Sequence, residues 1–329
     1  MLSNWLSPIS SDYCNNYFSD QYSCQGNFPD LTSAKIVVFS REHKFSSAVR
    51  SALDRLHNHF ETRIIDIGNL NSGNSSAIYQ VVSELQDGYI LPVLIGVDLD
   101  CFNEFCQAMH LEQRLNNCTF VSNGISLSSE LYNVENIGYQ RHVIPKFQFQ
   151  EVIESNNTGL SLGALRSNQR IIEPILRECN YLHFDLAAIR RSDCPNVKRS
   201  LPTGLHSEEA CQIMRYVGEG LRLKLITLDS CGLDENSNHE ALLVSELLWY
   251  LHEGVELRPK DHPAFSDDFK EYIIELNEVD HSLIFTQSNK SGKWWLKLEN
   301  ESNRYVSCAY EEYQQTIENE IPERLLKLL

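Results

Sequence analysis

Short apolar runs alternate along most of the chain with segments of helical periodicity. The apolar runs predict strands at 34–39, 63–67, 89–95, 118–121, 135–138, 181–186 and 224–228. The segments between them predict helices around 49–56 and at 77–85, 101–111, 165–179, 207–217 and 239–252. This alternation is typical of a mostly parallel sheet with helices on both faces. We therefore expect a three-layer α/β/α sandwich.

The pattern changes after Gly254. Three short strands are predicted at 272–276, 282–286 and 294–298, and a turn at 289–292 joins the last two in an antiparallel arrangement. A closing helix is predicted at 310–329, interrupted at Pro322. The chain is thus expected to have three parts: an N-terminal arm at 1–33, an α/β domain at 34–256, and a small C-terminal β-meander and helix at 257–329.

The composition indicates a globular protein and disfavours two classes of binding partner. Apolar residues make up 42% of the 329 positions and charged residues 22%, which is typical of a globular protein. The formal net charge of −17 disfavours nucleic acids and anionic membranes as partners. The ten cysteines include no C-x-x-C pair, and no signal peptide or membrane-spanning run is recognisable. A cytoplasmic protein without a membrane partner is expected.

Carboxylates stand where predicted strands end. Asp98 and Asp100 follow one strand, and Asp185 and Asp229 end two others. The carboxyl ends of parallel strands form the usual site of such a sheet, so these four side chains are candidates for an all-oxygen cation site. The alternative is that they favour nearby helix N-termini. His206, which precedes a predicted helix, is a candidate for proton transfer without an evident partner.

Other common catalytic patterns are missing from the sequence. It contains no G-x-S-x-G elbow, no G-x-G-x-x-G after a strand and no Walker loop. Cys101 starts a predicted helix, which can activate a thiol, but without a histidine partner a structural role is favoured. His183, inside a predicted strand, is interpreted as a packed core residue.

Several strings resemble the arginase/agmatinase/formimidoylglutamase superfamily, the ureohydrolases. They are DLAAIRRSDCP at 185–195 and LPTGLHSEEACQIMRY at 201–216. Three further strings resemble a formimidoylglutamase-like branch found in Bacteroidetes: LLWYLHEG at 247–254, KWW at 293–295 and EIPER at 320–324. The resemblance covers roughly residues 34 to 329 and implies an arginase-like fold. It also implies, for active members, two manganese ions sharing a hydroxide that attacks a guanidinium or formimino carbon.

The resemblance places the family's metal ligands on residues of another kind. Its histidine after Gly-Gly-Asp falls on Leu99, and its Asp-x-His-x-Asp string falls on Ser122, Gly124 and Ser126. Its Asp-x-Asp string keeps Asp185 but loses the second carboxylate at Ala187, which would point the same way on a strand. The substrate-gripping glutamate falls on Asp229.

These replacements predict loss of the metal pair, because two neighbouring dications need several anionic ligands. We therefore expect no metal cofactor and a non-catalytic protein of ureohydrolase fold that acts through a protein partner or self-association. By resemblance the assembly would be a trimer or hexamer. The alternatives are a residual formimidoylglutamase or other amidine hydrolase around Asp98, Asp185 and Asp229, and a small-molecule sensor.

Overall fold

The structure is a computed structural model. It describes residues 2–9, 17–22, 26–41, 43–111, 117–126, 133–154, 158–230, 232–258, 262–265, 267–275, 282–298 and 304–326.

Strands and helices alternate through the first three-quarters of the chain. In order they are β1 (Leu6–Ser7), β2 (Asp20–Gln21), β3 (Ala34–Ser40), α1 (His43–Leu53), β4 (Arg63–Leu70), α2 (Ser75–Asp87), β5 (Leu91–Ile95), α3 (Leu99–Leu111), β6 (Asn117–Val121), β7 (Asn133–Tyr139), α4 (Lys146–Glu154), β8 (Thr158–Ser161), α5 (Leu162–Ser167), α6 (Ile172–Arg177), β9 (Tyr181–Asp185), α7 (Ser207–Gly218), β10 (Leu225–Asp229) and α8 (Asn238–Glu256). Short 3-10 turns lie at Leu2–Asn4, Arg141–Val143, Gln169–Ile171 and Leu186–Ala188.

The central sheet has the strand order β1-β4-β3-β5-β10-β9-β6-β7-β8, and β2 also pairs with β4. Strand β1 is antiparallel to β4, and the other described pairs are parallel. The middle strands β5, β9 and β10 are buried at every position, which is why most of their residues are apolar. Their carboxyl ends lie side by side at one edge of the sheet.

Helices cover both faces of this sheet. Helices α1, α6, α7 and α8 pack on one another on one face, and α2 packs on α3 on the other. Two separate hydrophobic cores result. One contains the apolar residues of α1, α7 and α8, and the other contains those of α2 and α3. The expected α/β/α sandwich is confirmed.

A second sheet follows the α/β part of the chain. It consists of β11 (Phe269–Glu275), β12 (Ser282–Ser288), β13 (Trp294–Lys297) and β14 (Tyr305–Cys308), paired antiparallel in that order. Helices α9 (Tyr310–Ile317) and α10 (Glu323–Leu326) follow, separated near Pro322 as predicted. The expected antiparallel extension is confirmed, with β14 as an additional strand.

This sheet is docked on α6 of the main domain. The Arg177 guanidinium lies 4.6 Å from the Trp295 ring centroid and donates to the Trp294 carbonyl at 3.2 Å. One carboxylate oxygen of Glu178 accepts from both the N–H and the hydroxyl of Ser307, at 2.9 and 2.7 Å. The buried Arg177 and the half-buried Glu178 therefore hold the extension to the domain.

Three predicted elements were wrong in detail. The single helix at 165–179 is divided into α5, a 3-10 turn and α6, because Asn168 leaves helical dihedrals and its side chain accepts from the Arg170 N–H. Tyr89 is not in a strand, since its φ of 57° is incompatible with extended backbone, and β5 begins at Leu91. The strand predicted to reach residue 186 ends at Asp185.

The boundaries proposed for the three parts of the chain stay predictions. Two short strands of the predicted arm, β1 and β2, pair with β4 of the main sheet. Within the described ranges, no helix has the length and apolar content that a bilayer span requires.

Candidate functional site

The candidate site lies where β5, β9 and β10 end. Asp185 and Asp229 are the last residues of β9 and β10 and stand opposite each other in the parallel register. Both side chains are buried, with 10% of Asp185 and 2% of Asp229 exposed. Two adjacent buried carboxylates repel each other, so this edge requires a nearby positive charge.

Arg199 supplies that charge. Its Nη2 atom donates to Asp229 Oδ2 at 2.8 Å and to Asp185 Oδ1 at 3.3 Å. The guanidinium therefore bridges the two carboxylates from the loop between β9 and α7. The same Asp185 oxygen also accepts from the Ala187 N–H at 2.8 Å, which holds the carboxylate over the 3-10 turn after β9.

A second arginine neutralises Asp98. Arg41, directly after β3, donates from Nη1 to Asp98 Oδ2 at 2.5 Å. The other oxygen of Asp98 accepts from the Cys101 N–H at 2.9 Å at the start of α3. Three of the four candidate carboxylates are thus paired with a guanidinium: Asp98 with Arg41, and both Asp185 and Asp229 with Arg199.

The environment shifts the acidity of these groups in opposite directions. Burial and the charge of Asp229 raise the pKa of Asp185 to about 6, although Arg199 and the Ala187 N–H favour its ionised form. Burial also disfavours ionisation of Asp98, but hydrogen bonds from the Cys101 N–H and Arg41 prevail and lower its pKa. Asp185 therefore takes up a proton more readily than Asp98.

The five other positions that the resemblance matches to metal ligands carry side chains of other chemistry. Leu99 begins α3 and is partly exposed. Ser122 donates its hydroxyl to the Gly124 carbonyl at 2.9 Å, and an ideal Cβ on Gly124 would meet no atom within 4 Å. Ser126 and Asn136 are joined by two hydrogen bonds of 2.7 and 3.0 Å.

The sequence led us to expect Ala187 on the same strand as Asp185, but strand β9 ends before Ala187. This residue lies inside the 3-10 turn Leu186–Ala188 and is buried. The two-residue strand spacing that would align position 187 with Asp185 is therefore absent. Within the described part of the chain, no group of three or more His, Cys, Asp and Glu side chains is arranged to hold a metal ion.

The remaining candidates lie apart from the Asp185–Asp229 pair. Asp100 is exposed in the first turn of α3. The His206 N–H donates to Glu209 Oε2 at 2.8 Å, which ties the residue to the start of α7. Among the contacts of the described residues, none joins His206 to Asp185 or Asp229.

His183 and Cys101 belong to the packing behind the site. The His183 ring stacks on Phe102 at 4.9 Å, and its Nδ1 lies 2.9 Å from the Thr227 hydroxyl. Burial lowers the pKa of His183 to about 3, so the ring is neutral. Burial raises the pKa of the Cys101 thiol, which disfavours the thiolate that a nucleophile requires.

Sequence reasoning did not identify Arg41 and Arg199. Arg199 lies 14 and 30 residues from its two partners, in a loop without periodicity. The signal that could have found it is the pair of carboxylates at adjacent strand ends, because such a pair requires a cation nearby.

Three solved structures resemble this chain along most of their own length. Formiminoglutamase from Trypanosoma cruzi, solved with Mn²⁺, matches with a TM-score of 0.60 at 14% identity, covering 69% of this chain and 95% of that one. Formimidoylglutamase from Bacillus subtilis matches with a TM-score of 0.60 at 12% identity, covering 77% and 93%. The agmatine ureohydrolase of Thermoplasma volcanium matches with a TM-score of 0.55 at 16% identity, covering 69% and 92%.

These likenesses are structural. No family model matches the sequence, and no curated protein matches it. At identities of 12–16% the comparisons establish the fold alone. The chain has the arginase-like α/β fold of the formimidoylglutamase and agmatine ureohydrolase structures, with an additional four-stranded antiparallel sheet near its C-terminus.

Proposed function

We propose that this protein is a ureohydrolase-fold protein without manganese-dependent hydrolase activity, which acts by binding a protein partner or further copies of itself. The observation that carries the proposal is the bridge from Arg199 to Asp185 and Asp229. It places one guanidinium against the two carboxylates that end β9 and β10.

The donor chemistry supports this proposal. The family pattern supplies anionic oxygens and imidazoles, whereas Leu99, Gly124 and Ala187 offer no side-chain ligand atom. Serine hydroxyls do not offset the repulsion between two dications. The residues present therefore do not fit a pair of manganese ions.

A guanidinium also differs from a metal ion in what it can do. It carries one positive charge, stays protonated and has no exchangeable coordination position at which water is acidified. Arg199 can thus hold the two strand ends together electrostatically, but it does not generate a hydroxide nucleophile. We assign the bridge a structural role.

The sequence resemblance adds the finer parts of the proposal. Strings such as those at 247–254 and 320–324 favour the Bacteroidetes formimidoylglutamase-like branch, and the family's trimers and hexamers favour self-association. The net charge of −17 argues against nucleic-acid and anionic-membrane partners. A cytoplasmic location is also proposed, because the ten cysteines include no C-x-x-C pair and several lie in apolar runs.

Metal analysis tests the central point. The full chain is incubated with excess Mn²⁺, desalted and analysed by inductively coupled plasma mass spectrometry, with the same preparation of Asp185→Ala as control. We expect well under one ion per chain, about 0.1 or less, because weakly held ions dissociate on desalting. Two ions per chain that disappear in Asp185→Ala would overturn the proposal.

Sedimentation velocity tests the association part. A trimer or hexamer at micromolar concentration is the expected result for self-association. A monomer that also captures no protein partner in affinity purification from its own source would contradict this part while leaving the metal result intact.

A residual amidine hydrolase is the second candidate, and the retention of Asp98, Asp185 and Asp229 near one sheet edge favours it. Its test is urea or formamide release from guanidino and formimino substrates. Release that is abolished by Asp185→Ala and unchanged by Asp100→Asn would establish this activity in place of the first proposal.

A further inference from the structure

We propose that a second site, distinct from the strand-end carboxylates, binds a small organic cation. The site is a cleft between α7, α8 and the segment that follows α1. Its volume of about 560 Å³ lies in the range of pockets that hold small ligands. The walls that carry the argument are Glu208, Gln212, Glu246, Trp249 and Tyr250.

Helical spacing brings these side chains to the cleft. Glu246, Trp249 and Tyr250 are three and four residues apart on α8, so they share one face of that helix. Glu208 and Gln212 are four residues apart on α7 and likewise share a face. Since α7 and α8 pack against each other, the two faces meet along the cleft.

The cleft has negative potential. Both of its glutamates are exposed, and its described lining residues include two histidines, His57 and His59, but no Lys or Arg. Burial, together with the charges of Glu246 and Glu208, raises the pKa of the Cys211 thiol in the cleft wall to about 12. A cation is therefore favoured over an anion or a neutral molecule, and the net charge of −17 adds to this preference.

An aromatic wall suits the same ligand. The indole of Trp249 is fixed by donation from Nε1 to the His57 carbonyl at 2.9 Å and by packing on Phe60 at 5.1 Å between centroids. The Tyr250 ring lies 5.3 Å from the indole at an interplanar angle of 76°. Two rings held in place beside carboxylates are the usual surroundings of an alkylammonium group.

Gln212 lines the same cleft but offers no hydrogen bond to its contents. Its Nε2 atom is shielded from solvent, so a ligand in the open cleft does not reach it. Charge and aromatic contact therefore select the ligand.

Choline is the probe that tests the site, and 3,3-dimethylbutan-1-ol is its neutral isostere. Binding to the metal-free protein is measured by calorimetry at about pH 8. Because the attraction is electrostatic, choline is expected to bind with a millimolar or lower dissociation constant, at least about tenfold tighter than the neutral alcohol.

Matched variants assign the binding to the cleft. Glu208→Gln and Glu246→Gln keep the side-chain shape, and each is expected to weaken choline binding at least about fivefold. Glu151→Gln, at an exposed glutamate of α4, is the control and should leave binding unchanged.

Three results would overturn the proposal. They are equal affinity for choline and its neutral isostere, no saturable binding up to about 10 mM choline, and unchanged affinity in both glutamate variants with native circular dichroism. If sedimentation shows that the glutamate variants dissociate an oligomer instead, the cleft is a contact between copies, and the ligand proposal fails. None of these results depends on whether the strand-end site binds manganese.

Discussion

The Nη2 atom of Arg199 lies 2.8 Å from Oδ2 of Asp229, and this contact joins a loop to the end of a central strand. The carboxylate is buried, whereas 57% of the arginine side chain is exposed. The guanidinium that neutralises the buried Asp229 carboxylate therefore lies on its solvent side. The adjacent carboxylate of Asp185 shares the same nitrogen atom.

Removing this cation should destabilise the strand ends. Arg199→Met is expected to lower the free energy of unfolding by about 1–2 kcal/mol at neutral pH, because Asp185 and Asp229 then face each other without it. The loss stays below that of a fully buried pair, because water already screens much of the interaction. Urea unfolding followed by circular dichroism measures the change.

Arg55→Met is the control, because Arg55 is exposed after α1. It is expected to change the free energy of unfolding by less than about 0.5 kcal/mol. Equal effects of the two variants would show that Arg199 contributes no more than an ordinary surface arginine. The double variant Arg199→Met/Asp185→Asn should recover part of the loss.

The raised pKa of Asp185 predicts a pH dependence of a particular sign. Burial and Asp229 raise this pKa from 3.8 to about 6, so the folded protein holds the proton more tightly than the unfolded chain. The stabilisation is complete below the unfolded value and is lost as the pH rises through about 6. The shift of about two units corresponds to at most roughly 3 kcal/mol.

Asp185→Asn removes this titration. The variant should gain stability relative to the wild type as the pH is raised from about 4 to about 7, and urea unfolding across that range measures the gain. Asp193→Asn is the comparison variant, because the stability contribution of Asp193 depends on pH with the opposite sign. Despite burial, hydrogen bonds from Arg190 and Ser192 lower the pKa of Asp193, so its stabilisation is lost as the pH falls. A difference in the free energy of unfolding between Asp185→Asn and the wild type that does not change with pH would contradict the prediction.

The sequence predicted the middle of the sheet well, because strands buried on both faces leave mainly apolar runs such as 91–95 and 225–228. It predicted the edge poorly. Strand β8 and helix α4 were missed, because short elements at the edge of a sheet have weaker apolar patterns. The break at Asn168 was missed because local side-chain hydrogen bonds decided it.

The carboxylates of the candidate site were predictable, since Asp185 and Asp229 end two apolar runs. Their partner was not. The ion pairs of Arg199 depend on the path of a loop between β9 and α7, which no periodicity describes. The cleft beside Trp249 was likewise not predicted, because it requires the packing of α7 on α8.

A buried ion pair attaches helix α1 to strand β4. Arg50 donates from Nε to Asp66 Oδ2 at 2.5 Å and from Nη2 to Asp66 Oδ1 at 3.0 Å, and both side chains are almost fully buried. Arg50→Met leaves the Asp66 charge without its cation, so we expect a loss of about 3–5 kcal/mol in the free energy of unfolding. Chemical denaturation measures it.

The double variant Arg50→Met/Asp66→Leu distinguishes the loss of the ion-pair attraction from the cost of burying an unpaired Asp66 carboxylate. It should be more stable than Arg50→Met alone, because removing both charges abolishes the cost of burying one of them. A double variant less stable than the single one would show that Asp66 is satisfied by other donors. The Gly68 N–H, which donates to Asp66 Oδ1 at 2.9 Å, would be the donor that satisfies the carboxylate in that case.

Helices α7 and α8 approach so closely that their contact requires glycine. A Cβ atom on Gly254 would lie 2.1 Å from the Arg215 carbonyl oxygen and 2.9 Å from Gly218 Cα. Because the obstacle is backbone, Gly254→Ala must push the helices apart, and a loss of about 3 kcal/mol is expected. Gly163→Ala on α5 is the control, since its nearest atom would be 3.9 Å away, and there alanine should stabilise by up to about 1 kcal/mol. Thermal and urea unfolding compare the two, and equal stabilities would show that the helices separate without cost.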